Sequence, residues 1–247
     1  MAPITATESG AAAGRSVLEG AFLLLESLRE QEQAGLAALA GATGLPKTTA
    51  YRLLEQLAGL GAVERHGTSY RMGSRIFRLG RDWQPHPGLR LAAAGPLRRL
   101  AQSTGATAGI CVLREGRTFA AQGLPGMTDE LAPFRPGTVW PWTTAAGKLL
   151  VATATTDLPL GPLHSSWQRE AAAIRDAATA VDREELVPGV CCVATPVLLP
   201  HGEAVGAVCA MVTPSFDLRK LTDAVTRTGR AISAGLTAAA SRQRLLQ

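Results

Sequence analysis

The sequence predicts an α+β fold built from two domains, and three observations lead to this prediction. The first part of the chain has apolar residues three or four positions apart, as in helices, followed by two short β-type runs. The second part has paired apolar strands between helices, which is typical of an antiparallel sheet rather than a doubly wound one. Between them, the stretch 83–88 contains Pro and Gly and interrupts both patterns. A chain of 247 residues, 46% of them hydrophobic, can form two such cores.

Three helices are predicted near the N-terminus, after a short arm. Residues 1–14 are mostly small or polar and show no periodic pattern, so they predict a disordered arm. The first helix begins near Ser16, and its apolar stripe consists of Val17, Leu18, Ala21, Phe22, Leu25 and Leu28. A second, short helix around Leu39 ends in a turn at 41–44. A third helix has Pro46 in its first turn, and its apolar positions are Ala50, Leu53, Leu54, Leu57 and Leu60.

A hairpin and a further helix follow the third helix. A Gly-Thr turn separates two β-type runs, 62–66 and 69–72, which is the pattern of a hairpin. Helix, glycine-containing turn, helix and hairpin in this order are typical of a winged helix-turn-helix domain, which we place at 15–73. Residues 74–88 predict a linker helix, beginning at Ser74, and the domain boundary.

The remaining residues, 89–247, predict a second domain of helices and strands. Its predicted helices span 91–103, 145–154, 170–181 and 218–246. Its predicted strands span 108–113, 118–122, 190–198 and 204–212. The stretch 127–142 is rich in loop residues, and the last helix has a possible weak point at Gly229 or Gly235.

The third helix carries the functional prediction. Opposite its apolar stripe, its first turn offers a cation and hydroxyl groups, as a helix that reads the major groove requires. Between Lys47 and Arg81 there are seven Lys or Arg residues against two Glu, a local excess that favours phosphate binding. A solvated polar face is the alternative for this helix taken alone. We predict that double-stranded DNA is contacted by Lys47, Thr48, Thr49, Tyr51 and Arg52 of the helix and by Arg65 and Arg71 of the hairpin.

Composition argues against several other classes of protein. Aromatic residues make up 4% of the chain, too few for a stacking platform that binds single strands. No signal peptide and no apolar run long enough for a membrane span is found, so we expect a cytoplasmic protein without a membrane partner. The four cysteines form no C-x-x-C pair and have no His at zinc-finger spacing. They predict reduced, buried thiols, and neither a metal nor a cofactor is expected.

Two blocks of the sequence resemble the IclR-type transcriptional regulators. The first block lies within 16–80 and includes the stretches ATGLPKTTAYRLL (42–54) and YRMGSRIFRLG (70–80). The second block consists of Ala146-Gly-Lys148, Ile174-Arg175, Asp182, Glu185, Pro188-Gly-Val190, Cys192, Ala194, Pro196-Val197 and Gly202. Both blocks stand in the family's order, and the resemblance covers roughly residues 15–240.

The resemblance implies that 89–247 form a GAF-like α/β effector-binding domain that controls DNA binding. It implies a repressor or an activator that responds to a small organic metabolite, pairs into homodimers and often into homotetramers, and binds a palindromic operator. By motif position, the effector pocket includes Thr144, Ala145, Ala146, Asp182, Val190, Cys192, Cys209 and Met211. A helix N-terminus beside small residues suits an anionic head group, so a carboxylate is a candidate ligand.

The chain departs from the family pattern in three places near this pocket. The segment between Lys148 and Ile174 is shorter than in the family, so helices beside the pocket are expected to be reduced. Ala178-Thr179 stands where Gly-Tyr is frequent, and Cys209 and Met211 stand where small polar residues are frequent. These departures favour a more apolar ligand or a degenerate pocket.

Two other functions remain open at the level of sequence. An architectural DNA-binding protein without a ligand would bind DNA without sequence preference. A thiol-dependent hydrolase would pair Cys192 with His164 or His201, although the chain lacks the common hydrolase and nucleotide motifs and we do not expect an enzyme. Asp182 with Glu184 and Glu185 could form an acid pair of an enzyme, but such a stretch is more often a helix end on a solvated face.

Overall fold

The chain divides into two compact units, 1–83 and 84–247. The computed structural model describes residues 16–81, 83, 85–156 and 158–244. The predicted disordered arm, 1–14, lies outside the described residues. No helix in the described part of the chain is long and apolar enough to cross a membrane.

The first unit contains the predicted helices and hairpin and one strand that the sequence did not indicate. Its elements are α1 (Val17–Gln31), β1 (Gln33–Gly35), α2 (Leu36–Thr43), α3 (Lys47–Gly59), β2 (Val63–His66), β3 (Ser69–Met72) and α4 (Ser74–Arg81). The three strands form an antiparallel sheet in the order β1-β3-β2. Strand β1 has only three residues, and it forms because β3 offers it a free edge, which no local pattern signals.

The apolar stripe predicted for α1 is divided between the core and the surface. Leu28 of the stripe is buried in the core together with Leu24, and Ala21 and Leu25 of the stripe are partly buried against that core. Other members of the stripe are exposed by more than half: Val17 by 56%, Leu18 by 72% and Phe22 by 64%. The exposed members leave α1 with an apolar outer face.

The second unit is a six-stranded antiparallel sheet with helices on both faces. Its elements are α5 (Leu89–Thr104), β4 (Thr107–Arg114), β5 (Arg117–Leu124), β6 (Val139–Pro141), α6 (Ala145–Thr153), α7 (Trp167–Ala177), β7 (Ala180–Arg183), β8 (Cys191–Leu198), β9 (Ala204–Val212) and α8 (Leu218–Arg244). The strand order is β6-β5-β4-β9-β8-β7, and every pair is antiparallel. The predicted α+β, GAF-like architecture is confirmed.

Alternate residues of the central strands face different helices. On β4, Ile110 and Val112 pack in the core that contains α5 and α8, whereas Cys111 packs in the core that contains α6 and α7. On β8, Val193 packs in the core with α5 and α8, and the next residue, Ala194, packs in the core with α6 and α7. Because both faces of these strands are buried, they are apolar throughout, as the sequence shows.

Two predictions for this unit are wrong. The helix predicted over 170–181 ends at Ala177, and Ala180–Arg183 instead form β7, which pairs with β8. Ala178 has a left-handed backbone (φ 50°), so the chain leaves the helix there and reaches the sheet edge. The predicted weak point in α8 is also absent, since the helix runs continuously through Gly229. A Cβ there would lie 2.5 Å from Thr195 Cγ2, so that glycine permits close packing on β8.

Candidate DNA-binding face and effector cavity

The turn between α2 and α3 is shorter than predicted. Helix α2 continues to Thr43, so the turn comprises residues 44–46 rather than 41–44. Gly44 takes a left-handed conformation (φ 66°) that ends α2, which is the ordinary role of glycine at that position. Pro46 precedes Lys47 as the N-cap instead of lying inside the first turn. This short turn holds α3 against α1 and α2 through its buried leucines.

Helix α3 has the two faces that its sequence predicts. Ala50, Leu53, Leu54 and Leu57 are buried, but Leu60 is 57% exposed and lies at the C-cap, so its assignment to the buried stripe is wrong. On the opposite face, the exposed residues are Lys47, Thr48, Tyr51 and Arg52, and Thr49 is half-buried. No side chain caps the N-terminus, so the first N–H groups of α3 are open to an acceptor such as a phosphate.

The hairpin cations are held by carboxylates. Arg71 donates to Glu64 through Nε at 3.0 Å and Nη2 at 2.8 Å, and this pairing lowers the pKa of Glu64. Arg65 Nη1 lies 3.9 Å from Glu55 Oε1. In the described part of the chain, Lys47 and Arg52 make no ion pair of this kind. Among the residues predicted to contact DNA, the cations without a carboxylate partner in the described structure are therefore those of α3, Lys47 and Arg52.

Seven of the eight predicted effector residues line one cavity in the second unit. The cavity is lined by Cys111, Ala132, Phe134, Trp140, Thr144, Ala146, Asp182, Leu186, Val187, Val190, Cys192, Cys209 and Met211. Ala145 is buried in α6 but is not part of this wall. The free volume of the cavity is about 40 Å³. On the same scale one water molecule needs ~10–15 Å³, so the cavity holds a few waters or a small ligand. The role of these residues in binding an effector stays a prediction.

The sheet register explains why residues distant in sequence meet here. Asp182 on β7 lies opposite Cys192 on β8, and Cys192 lies opposite Met211 on β9. Directly opposite residues of an antiparallel pair point to the same face, so the three form one row under α6. Thr144 closes one side as the N-cap of α6, where its Oγ1 accepts from the Gly147 N–H at 3.1 Å.

The aromatic part of the wall is not evident from the sequence. Phe134 and Trp140 come from the stretch that the sequence marks only as loop-rich, and Cys111 comes from β4. Nothing in a single sequence reports which loop folds over which sheet face. The alternation of β4 places Cys111 with Cys209, but only once the register of β4 with β9 is known.

Two of the three cavity thiols, Cys192 and Cys209, have raised pKa values and are therefore poorly nucleophilic. Cys111 Sγ and Cys209 Sγ are 3.8 Å apart. The pKa of Cys192 is raised well above its ordinary value by its hydrogen bond with Cys209 and by burial. The pKa of Cys209 is raised as well, mainly by its hydrogen bond with Cys111. All four cysteines are free and buried, which confirms that prediction.

The proposed thiol–histidine pair is not assembled. His164 is bound to Ser166 at 2.8 Å and lies 3.4 Å from Glu170, and His201 pairs with Glu203 at 2.9 Å. Neither histidine has Cys192 as a hydrogen-bond partner in the described structure, so the thiol–histidine pair of the hydrolase alternative is not formed. In the described residues, no group of three or more His, Cys, Asp or Glu side chains is arranged to hold a metal ion.

Asp182 is a buried acid. It is only 5% exposed, so the alternative in which it lies on a solvated helix end is wrong. Its Oδ1 accepts from the backbone N–H of Glu185 at 2.8 Å. Burial raises the pKa of Asp182, the negative charge of Glu185 acts in the same direction, and the hydrogen bond and Lys148 oppose them.

Lys148, which the sequence marks only as a motif residue, forms a buried ion-pair cluster beside the cavity. Its side chain is 9% exposed, and Nζ lies 3.0 Å from Glu170 and in hydrogen-bond contact with Glu185. Burial lowers the pKa of the amine, but the hydrogen bonds to Glu185 and Glu170 outweigh it and raise that pKa above its ordinary value of 10.5. The amine is therefore charged at neutral pH.

Replacing Lys148 by Met is expected to lower the free energy of unfolding by about 2 kcal/mol at pH 7, less than for a fully buried pair because both glutamates are partly exposed. Glu170 and Glu185 would then repel each other. Because the folded-state pKa of Lys148 is raised, this stabilisation is present below 10.5 and lost as the pH rises above it. Urea unfolding at pH 7 measures the change, and the exposed Lys220→Met is the control, expected to change stability by less than ~0.5 kcal/mol. If the two variants were equally stable, the ion pairs of Lys148 with Glu170 and Glu185 would not stabilise the fold.

Known proteins match both units of the chain. The IclR helix-turn-helix domain model matches residues 17–67, and the model of the bacterial transcriptional regulator IclR C-terminal domain matches residues 164–234. The glycerol operon regulatory protein of Streptomyces griseus is 30% identical over 208 residues, covering 77% of this chain and 82% of that protein. The HTH-type transcriptional regulator BhcR of Paracoccus denitrificans is 27% identical over 248 residues, covering 90% of this chain and 88% of that protein.

Solved structures share the fold. An IclR homologue from Microbacterium hydrocarbonoxydans, solved with 4-hydroxybenzoate, has a TM-score of 0.81 at 18% identity, covering 90% of this chain and all of that one. IclR of Thermotoga maritima has a TM-score of 0.69 at 21% identity, covering 89% and 98%. Since both family domains match in order and the relatives are regulators along most of their length, this chain belongs to the IclR family of DNA-binding transcriptional regulators with a C-terminal ligand-binding domain.

Proposed function

We propose that the protein is a homodimeric or homotetrameric regulator that binds an imperfect palindrome, with one α3 helix in each of two major grooves. The observation that carries the proposal is the exposed face of α3, where Lys47 and Arg52 lie unpaired in the described structure beside Thr48 and Tyr51. Such a face supplies both phosphate contacts and base-edge contacts. The two helices of a dimer would lie about one DNA turn apart, ~34 Å.

In this proposal a small organic metabolite occupies the cavity and shifts the protein between two arrangements of its DNA-binding domains. Helix α4 follows the β2–β3 hairpin. We expect it to transmit ligand binding in the second unit to the DNA-binding domain. The Microbacterium homologue was solved in complex with 4-hydroxybenzoate, which supports a small organic ligand for this chain as well. We further propose that the protein acts in the cytoplasm and catalyses no reaction, which agrees with its weakly nucleophilic thiols.

Selection of binding sites from a random DNA library tests the function directly. We expect an enriched inverted repeat whose half-site centres are ~10 bp apart. Competition with unrelated DNA at moderate salt is expected to show at least ~10³-fold preference for the enriched site. Binding without enrichment of any sequence would instead support an architectural protein and would overturn the proposal.

The exposed apolar face of α1 supports self-association through the DNA-binding domain. Leu18 and Phe22 are four residues apart and so lie on one face of α1, and both are more than half exposed, as is Val17 in the first turn. A contiguous apolar patch on a small domain marks an interaction surface, and a domain of this size has little core of its own. The α1 helix of a second copy of the chain would cover this face with the same apolar side chains.

Replacing Phe22 by Asp is expected to weaken this association at least tenfold, because a charge would be buried in the proposed interface. Sedimentation velocity of the full chain should show a shift to the next smaller assembly, and operator binding should lose cooperativity. Leu163→Asp changes an exposed leucine of the second unit and is the matched control. An unchanged assembly in the Phe22 variant would place the interface elsewhere.

A further inference from the structure

The cavity wall in the second unit has one carboxyl group and no cationic side chain. Thirteen described residues line it; Asp182 is the only carboxylic acid among them, and none is Lys, Arg or His. The other groups are three thiols, a thioether, a hydroxyl, and apolar or aromatic side chains. Proteins generally bind carboxylates through charge-assisted hydrogen bonds from Arg or Lys. This wall offers no such donor.

The nearest buried cation does not supply the missing charge. The Lys148 amine is bound by both Glu170 and Glu185, so its positive charge is matched by two negative ones. Lys148 and its two glutamates together carry a net charge of −1, and an ionised Asp182 beside them makes it −2. An anionic ligand would therefore enter a site whose local field opposes it.

The N-terminus of α6 is the strongest argument for an anion, and it is weak here. Its dipole is equivalent to about half a positive charge, which a single ionised carboxylate outweighs. The Thr144 hydroxyl already accepts from the Gly147 N–H at 3.1 Å and donates to the Pro141 carbonyl at 3.3 Å, so it is engaged in capping. The Thr144 hydroxyl is therefore not free to donate to an anion, and the helix end contributes only its partial charge.

Two buried polar groups of the wall lack side-chain partners. The Asp182 carboxyl accepts from the backbone N–H of Glu185, and no side chain in the described structure donates to it. Trp140 Nε1 is buried and has no hydrogen-bond partner among the described residues. Buried donors are nearly always paired, so Trp140 Nε1 indicates a ligand that accepts a hydrogen bond. The two oxygens of the Asp182 carboxyl can accept a further hydrogen bond from such a ligand. A hydroxyl group does both without carrying a charge.

We propose that the effector is a small uncharged organic molecule with a hydroxyl group, which donates to Asp182 while its carbon skeleton packs against the thiols, Met211 and Phe134. This inference rests on the proposed function, since it takes the cavity as the effector site. Burial raises the pKa of Asp182, and the negative charge of Glu185 acts in the same direction. The small open volume favours a ligand of few heavy atoms.

Ligands that share one skeleton and differ in charge test the proposal. The full chain is titrated by calorimetry and thermal shift with propan-1-ol, propanoate and propan-1-amine, and with benzyl alcohol, benzoate and benzylamine. We expect at least one alcohol to bind, with a Kd at least tenfold lower than those of its acid and its amine. Tighter binding of either acid or amine would overturn the proposal, as would an absence of binding by all six at millimolar concentration.

Two substitutions at one position separate hydrogen bonding from charge. Asp182→Asn keeps an oxygen that accepts from the ligand and from the Glu185 N–H, so the Kd for the alcohol should stay within about threefold. Asp182→Leu removes that acceptor and should weaken binding at least tenfold. Equal losses in both variants would show that the charge is what matters, which contradicts an uncharged ligand. Circular dichroism and urea unfolding of each variant verify that it is folded.

DNA binding by the same preparations distinguishes a failure of the proposed ligand class from a failure of the proposed function. If the chain selects an operator but binds only carboxylates or amines, the ligand class is wrong and the proposed function stands. If it selects no operator, the proposed function fails whatever the cavity binds.

Discussion

Replacing Arg52 by Ala is expected to lower the affinity for the selected operator by about 10- to 100-fold, the largest effect we foresee on DNA binding. One good base contact contributes about 1–3 kcal/mol of discrimination, and Arg52 is exposed in the second turn of α3 without a competing carboxylate in the described structure. Binding assays on operator and unrelated DNA, each at several salt concentrations, measure the change. Discrimination between sequences should fall together with affinity.

The same charge can be removed elsewhere as a control. Arg29 lies in the last turn of α1, is exposed, and is 3.9 Å from Glu30. Arg29→Ala should leave operator affinity within about twofold, since exposed pairs contribute little. If Arg52→Ala weakens all sequences equally and reduces the salt slope by about one, Arg52 contacts a phosphate rather than a base. If it changes nothing, α3 is not the recognition helix.

Replacing Gly147 by Ala is expected to lower the free energy of unfolding by about 3 kcal/mol, the largest effect we foresee on stability. An added Cβ would overlap the carbonyl oxygen of Trp142 and lie 2.5 Å from Thr118 Oγ1. Backbone atoms cannot move aside as the end of a flexible side chain can, so α6 itself would have to shift. Thermal unfolding should show a fall in Tm of about 6–12 °C, together with loss of ligand binding.

A second glycine distinguishes crowding from helix propensity. Gly41 lies exposed inside α2, and a Cβ there would meet no atom within 4 Å. Gly41→Ala should stabilise the chain by about 0.5–1 kcal/mol, because alanine loses less backbone freedom in a helix. If Gly147→Ala also stabilised the chain, α6 would not lie where the structure places it.

Local patterns predicted most elements correctly where each segment carries its own signal. Helix α3 and the hairpin β2–β3 have strong periodic and turn signals, and the structure confirms both. Strand β7 was predicted as part of a helix because the residues from Glu170 onward continue a helical pattern. Its pairing with β8 outweighs that local preference, which is a tertiary effect.

The candidate effector site was predicted in part, and by a different route. Motif positions identified seven residues that line the cavity, including Asp182, Cys192 and Met211, but the periodic patterns alone did not bring them together. Phe134 and Trp140 were missed because a loop carries no repeating pattern that reports its contacts. The burial of Lys148 between two glutamates was missed for the same reason.

The order of helices, turn and hairpin, and the cationic exposed side of α3, follow from the amino-acid sequence by itself, since periodicity and turn chemistry act between residues close along the chain. Register, long-range ion pairing and cavity shape arise between residues far apart in sequence, so only the tertiary structure decided them. Folding places Asp182, Cys192 and Met211 in one row and engages Arg71 with Glu64, and these contacts determine which charges remain available to a partner.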